Sequence, residues 1–392
     1  MATFLDRSNP RGLSFALLLA GACAPASAAT TITVTNTDDS GAGSLRQALL
    51  DAAAGDTIDF DLAYPAVIYP QAMLFVTKSV TIEGPGAGNL TIDGNSSGDP
   101  MLEIINSSVV TMSGLTMEHA GASALYVQQG TVTVNQCRFA HNGGIAISNV
   151  GTLTVDDSVF DTNQNGNLGG AIYNSNVASI NNSTFIGNTA SSGGGAIFNF
   201  GTMDIHASTF SGNQSVGSNS SRGGAIANTG ALTIDNSTFA GNAATGYGGA
   251  IHLDLAATMT ASTFSGNHSV LGGNGVSTFA TFTVSRSIVD GCNGTVTSAG
   301  DNIGTDGSCF ADSTVLNDRG NVPPRLAPLA DNGGPTKTMA LRSGSPAIDQ
   351  VIVNAAACSG TDQRGFARPG GARCDIGAYE RDGDLLFDDG FD

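Results

Sequence analysis

Between Thr131 and Val289 short apolar segments return on a fixed clock. Aligned on the last apolar residue of each segment, Val134, Val155, Ile180, Ile205, Ile234, Met259 and Val284 are spaced by 21, 25, 25, 29, 25 and 25 residues. Three positions further on stand Cys137, Ser158, Ser183, Ser208, Ser237, Ser262 and Ser287, and two beyond those Phe139, Phe160, Phe185, Phe210, Phe239, Phe264 and Val289. Asparagine follows at 142, 163, 188, 213, 242 and 267, with Cys292 assigned to close the column. A second marker, Gly-Gly-Ala-Ile and its variants, places Ile147, Ile172, Ile197, Ile226, Ile251 and Val276 in the same register. A period in this range signals stacked units, each needing neighbours to bury its apolar face.

Each unit reads as strand. Leu153 to Val155, Leu232 to Ile234 and Phe282 to Val284 alternate apolar and β-branched polar residues between Gly, Asn and Ser punctuation. Equivalent strands of successive units can pair only in parallel, about 4.8 Å apart. The predicted class is therefore all-β, a parallel β-helix, right-handed by the crossover rule. One Phe per coil stacks inside, and one Asn per coil forms an amide ladder at a buried turn. Gly-Gly serves close backbone approach at a corner, which accounts for much of the 53 glycines in 392 residues.

Residues 1–28 read as a secretory signal: Arg7 and Arg11, an apolar run from Leu13 to Ala22, and Ala26-Ser-Ala28 as cleavage site. Residues 29–79 are expected to cap the first coil, with a capping box at Ser44 and Gln47 opening a helix through about Ala54. The repeats occupy 80–292. A module of different composition follows at 293–381, and 382–392 is an acidic-aromatic tail. Four of the six cysteines, at 292, 309, 358 and 374, lie at or beyond the end of the repeats. In an exported chain they imply two disulfides, for which three connectivities are open, and the neighbour pairing Cys292–Cys309 with Cys358–Cys374 is expected. Cys137 sits in the inward Ser column and is expected to be a buried free thiol.

Gly194-Gly-Ala-Ile197 and Ser208-Thr-Phe-Ser-Gly-Asn213 resemble the repeats of polymorphic outer-membrane-type proteins and of bacterial β-helix surface proteins. Ala327 to Thr336, Gly344 to Asp349, Asp362 to Gly365 and Cys374 to Glu380 resemble the choice-of-anchor Q family. The resemblance implies a pectin-lyase-like β-helix and export, hence a secreted or cell-surface protein of a Gram-negative bacterium. It does not imply a reaction.

Charge and chemistry narrow the function. A net charge of −18 argues against polyanions as partners, nucleic acid included, for which no basic stripe is visible. The histidines show neither HExxH nor HxH spacing and there is no CxxC, so no metal site and no cofactor is expected; calcium is open only through general acidity. No span is long and apolar enough for a transmembrane helix after the signal. Carboxylate chemistry on sugars remains. Asp204 and Asp235, roughly 8 Å apart by one strand spacing and two residue rises, with His206 beside Asp235, are the candidate catalytic pair, but no basic residue is evident near them. The outward column after the Gly-Gly-Ala-Ile isoleucine contains Tyr173, Phe198 and His252, a candidate strip for binding sugar rings. Non-catalytic adhesion or recognition, of an extracellular polysaccharide or a neighbouring cell surface, is the favoured reading. A polysaccharide hydrolase or lyase is the alternative, and a structural spacer the third.

Overall fold

Because no coil can bury its own apolar side, the coils pair in register along the whole repeat. The computed structural model describes residues 28–96, 98–217 and 221–382, so the signal segment before Ala28 and the tail beyond Asp382 lie outside it. Val134, Val155, Ile180, Ile205, Ile234, Met259 and Val284 pair successively in parallel, as their spacing requires. They belong to a 12-stranded first face that starts at Thr31–Val34 and ends at Val296–Ser298. A second face has 11 strands, from Ala66–Ile68 to Ile303–Gly304, and a third has 10, from Leu74–Val76 to Cys292–Asn293. The chain is thus a parallel β-solenoid, and its stack reaches beyond 80–292 at both ends.

Inside, Phe139, Phe160, Phe185, Phe210, Phe239 and Phe264 are fully buried, and neighbouring rings stack within 20° of parallel with centroids 4.5 to 5.0 Å apart. Each buried ring contributes about 1.5–3 kcal/mol, with a smaller term for stacking. The Asn column is a closed hydrogen-bond system. Asn188 Nδ2 donates to Asn213 Oδ1 (3.0 Å) and to the Phe160 carbonyl (3.0 Å), while its backbone N–H also donates to Asn213 Oδ1 (3.0 Å). The same bonds recur from Asn142 to Asn267. In the Ser column each Oγ accepts the N–H of the preceding coil, beginning with Cys137 N–H on Ser158 Oγ (3.1 Å). Cys137 is free and buried, and burial pushes its thiol up to about 11.

Two expectations change. Cys292 does not close the Asn ladder: the last corner is two residues shorter, and Asp290 takes the station, accepting from Asn267 Nδ2 (3.0 Å). Cys292 instead lies in the third face beside Val276 and is bonded to Cys309. The N-terminal helix, α1 at Leu45–Asp51, stops before Ala54, because Asp56 accepts the Ala53 N–H (2.7 Å) and turns the chain into the next strand. Its N-cap is half a capping box: Ser44 Oγ accepts the Gln47 N–H, but the Gln47 side chain goes to Asp51.

The C-terminal module lies along the corner between the first and second faces. Thr336 Oγ1 donates to the Ala207 carbonyl (3.0 Å), the Gly377 N–H to the Arg286 carbonyl (2.8 Å), and the Ala378 N–H to Thr263 Oγ1 (2.9 Å). Gln363, 1% exposed, accepts from Thr238 Oγ1 (2.6 Å) and donates to Thr209 Oγ1 (2.8 Å). Buried ion pairs Arg364–Asp362 and Arg368–Glu380, and the Cys358–Cys374 disulfide, hold the module together. Among the described residues no helix is long and apolar enough to cross a membrane.

Candidate functional site

From Gln136 to Arg286 each first-to-second-face corner turns through one left-handed residue. Ala207, Asn236, Ala261 and Arg286 hold this station in successive coils, at φ between 44° and 50°. The module closes over this corner and leaves a cleft of about 270 Å³, lined by His206, Asp235, Asn236, Arg286, Ser359, Gly360, Thr361 and Arg368.

His206 and Asp235 face each other across adjacent strands, with Nδ1 3.1 Å from Oδ2. Asp235 also accepts from Asn236 Nδ2 (2.9 Å) and from Thr260 Oγ1. Burial pushes its carboxyl up, but the hydrogen bonds from His206 and Thr260 and the charges of His206 and Arg286 outweigh burial and hold it below the usual range. Burial, with Arg368 nearby, likewise holds the Arg286 guanidinium below its ordinary value. Arg368 reaches the corner by donating to Asn236 Oδ1 (3.2 Å). The expectation that no basic residue stands near Asp235 is therefore corrected. Arg286 follows Asp235 by two coils and Arg368 comes from the module, so neither is near it in the chain.

The structure brings His206 and Asp235 together but leaves Asp204 out. Asp204 pairs with Thr233 on the open first face, exposed, and does not line the cleft. The cleft thus holds one carboxylate, not the two that glycoside hydrolysis uses.

Tyr173 and Phe198 lie one coil apart on the third face, with ring centroids 5.9 Å apart and planes 5° from parallel, both half-buried. The rings turn faces toward each other, and Phe198 fills the space over Gly193, where a Cβ would come within 2.6 Å of the ring. His252 is not on an open strip. It is 0% exposed, covered by Phe279 edge-on at 5.1 Å and by Tyr247. Its Nε2 lies 3.2 Å from Asp254 Oδ1, and Asp254 also takes Arg222. Burial holds the imidazole below its ordinary value, against the pull of Asp254. Ser277 beside it is also 0% exposed.

Spacing rules passed over one further group. Glu118, His119 and His141 each offer a ligand atom within 4.8 Å of the others. The histidines are 22 residues apart, one coil at this end of the rod, as the pairing of Leu125 with Ile147 shows. In a solenoid, one coil length plays the part that a two-residue spacing plays in a strand.

The model of the Chlamydia polymorphic membrane protein repeat matches residues 182–199 and 236–254, two stretches of the corner-and-ladder unit described above. No curated protein matches significantly. Solved structures with a similar backbone include the PL6 family alginate lyase AlyGC, at 15% identity and TM-score 0.44, over 69% of this chain and 40% of that one. An alginate lyase from Paenibacillus sp. str. FPU-7 is similar at 15% identity and TM-score 0.48, over 69% and 98% of the two chains. Pectate lyase Pel9A is similar at 14% and 0.44, over 90% and 96%. The chain spans less than half of the first of these. At such identities the likeness concerns the fold alone, and the chain is described as a parallel β-helix protein with repeats like those of the Chlamydia polymorphic membrane proteins.

Proposed function

We propose that this protein recognises an acidic polysaccharide outside the cytoplasm, at the cell surface or free of it, without cleaving it. The observation that carries the reading, against the acidity of the chain as a whole, is the local pair of guanidiniums in the cleft, where Arg286 and the edge of Arg368 meet His206 and Asp235. A sugar carboxylate adds to the existing partners of the Arg286 guanidinium, and ring hydroxyls donate to Asp235 or accept from Asn236 and Thr361. Two disulfides support an oxidising compartment. The test is a glycan array of acidic and neutral polysaccharides. Acidic chains are expected to bind, with Arg286→Ala weakening them at least about 10-fold, the equivalent of one charge-assisted contact. Binding that ignores Arg286 but falls in Tyr173→Ala or Phe198→Ala moves the site to the third face, and a protein that binds nothing leaves the spacer.

A lyase is the second reading, favoured by the His206–Asp235 pair. With Nδ1 held by Asp235, Nε2 is placed as a general base for the proton beside a uronate carboxylate, which Arg286 neutralises. Ultraviolet absorbance of an unsaturated product, lost in His206→Ala, would establish it over pure recognition.

A further inference from the structure

We propose that Glu118, His119 and His141 form a binding site for a divalent transition metal ion near the N-terminal end of the rod, with Asp93 as its positioning residue. These residues follow one another across three adjacent coils, where Asp93 pairs with Glu118 and Glu118 with Ala140. The next position in two of these coils is a histidine, with φ of 54° at His119 and 51° at His141. The next coil carries Thr162 at this station, at φ 54°, and later coils carry Gly187, Gly212, Gly241 and Gly266, all left-handed. Histidine therefore stands twice where the backbone favours glycine, and the turn throws both imidazoles out of the rod side by side, with centroids 6.1 Å apart and planes at 21°.

The second observation is the Asp93–His119 contact. Asp93 Oδ2 lies 3.0 Å from His119 Nδ1, and the Asp93 side chain is 13% exposed whereas that of His119 is 46% exposed. The carboxylate is built into the corner and takes Nδ1, on the edge where Glu118 Oε1 also stands, 4.0 Å away, which fixes the direction of the ring. A metal-binding histidine is normally held this way, its far nitrogen hydrogen-bonded to a carboxylate that fixes tautomer and ring direction. Two imidazoles and one carboxylate suit zinc, nickel or copper rather than calcium, which takes six or more oxygens. Tetrahedral zinc with bonds of about 2.0–2.1 Å needs ligand atoms roughly 3.3 Å apart. The present spread of up to 4.8 Å closes by rotation of side chains that are exposed or half-buried. Three protein ligands leave the fourth position open.

The experiment is calorimetric titration of the untagged full chain with Zn²⁺, and with Co²⁺ for its visible spectrum. One equivalent is expected to bind, with the absorption of a four-coordinate nitrogen and oxygen site. His119→Asn and His141→Asn keep a residue that tolerates the left-handed backbone, so they stay folded, as a melt without metal checks. Each should weaken Zn²⁺ by more than about 10-fold, and Asp93→Asn by about 10-fold through loss of orientation. Zinc should raise the melting temperature of the parent and not of the His variants. A chain that binds no Zn²⁺ above the buffer blank, or binds it equally well in both histidine variants, overturns the proposal.

Discussion

At the scale of single residues, the end of the ladder is the sharpest test of how the coil handles polar atoms. Asp290 stands where six coils carry Asn, and its Oδ2 accepts both donors of Asn267, at 2.7 and 3.0 Å. Its Oδ1 is buried without a partner. Burial pushes the carboxyl up from 3.8 to about 6, against the hydrogen bonds of Asn267. The folded chain thus holds this proton more tightly than the unfolded chain does. The resulting stabilisation is complete below about pH 3.8 and is lost as pH rises through about 6. Asp290→Asn, an amide needing no proton, should therefore raise stability by about 1–3 kcal/mol near pH 7.5 and hardly at all near pH 4. Urea melts at the two pH values check this, and an equal change at both would refute the account. The Phe, Ser and Asn stations were legible because one side chain repeats at one spacing. Asp290 was not, because it directly follows Val289, whereas Asn267 comes three positions after Phe264.

At the scale of elements, the coil is a set of columns, and each column fails in its own way. Phe210 lies between Phe185 and Phe239, with centroids 4.6 and 4.7 Å away. Phe210→Ala should cost about 3–5 kcal/mol, the cost of a large cavity, and a loss under about 1 kcal/mol in denaturant melts would mean that neighbouring coils close the gap. A second amide ladder went unread in the sequence. Asn149, Asn174, Asn199 and Asn228 each stand two residues after the third-face isoleucine, with Nδ2–Oδ1 distances of 2.7 Å between successive members. It stops where Leu253 and Thr278 take the station, so it never spans the whole repeat. Asn199→Ala takes the donor from the buried Asn228 Oδ1, while Asn174 Nδ2 keeps the Asn176 and Thr202 carbonyls, and should cost about 1–3 kcal/mol, measurable in the same melts. The fold was legible because a column needs only its period. The second ladder was not, because asparagine is common at strand ends and four members make a weak period.

At the scale of the whole molecule, function depends on where the rod meets the module, and that meeting has no period. His206 and Asp235 were legible as neighbours on adjacent coils, but Arg286 and Arg368 were not, since Arg368 lies 132 residues beyond Asn236, its corner partner. His252 was misjudged for a different reason: side chains at other stations, Tyr247 just before the Gly-Gly pair and Phe279 just after the third-face strand, close over it. If the cleft is the recognition site, its wall must depend on the module staying seated. Gln363 is the buried tie, bonded to Thr209, Thr238 and Thr336. Gln363→Leu leaves Thr209 and Thr238 to find other partners and puts methyl groups among hydroxyls, which should loosen residues 359–368 from the corner. The rod keeps its Phe stack and both ladders, so its far-ultraviolet signal and main melt should hold, while limited proteolysis cuts the module sooner. Acidic-glycan binding should then fall by at least about 10-fold alongside the faster cutting, as one lost charge-assisted contact requires. Binding that survives release of the module would place recognition on the rod alone and take Arg368 out of it.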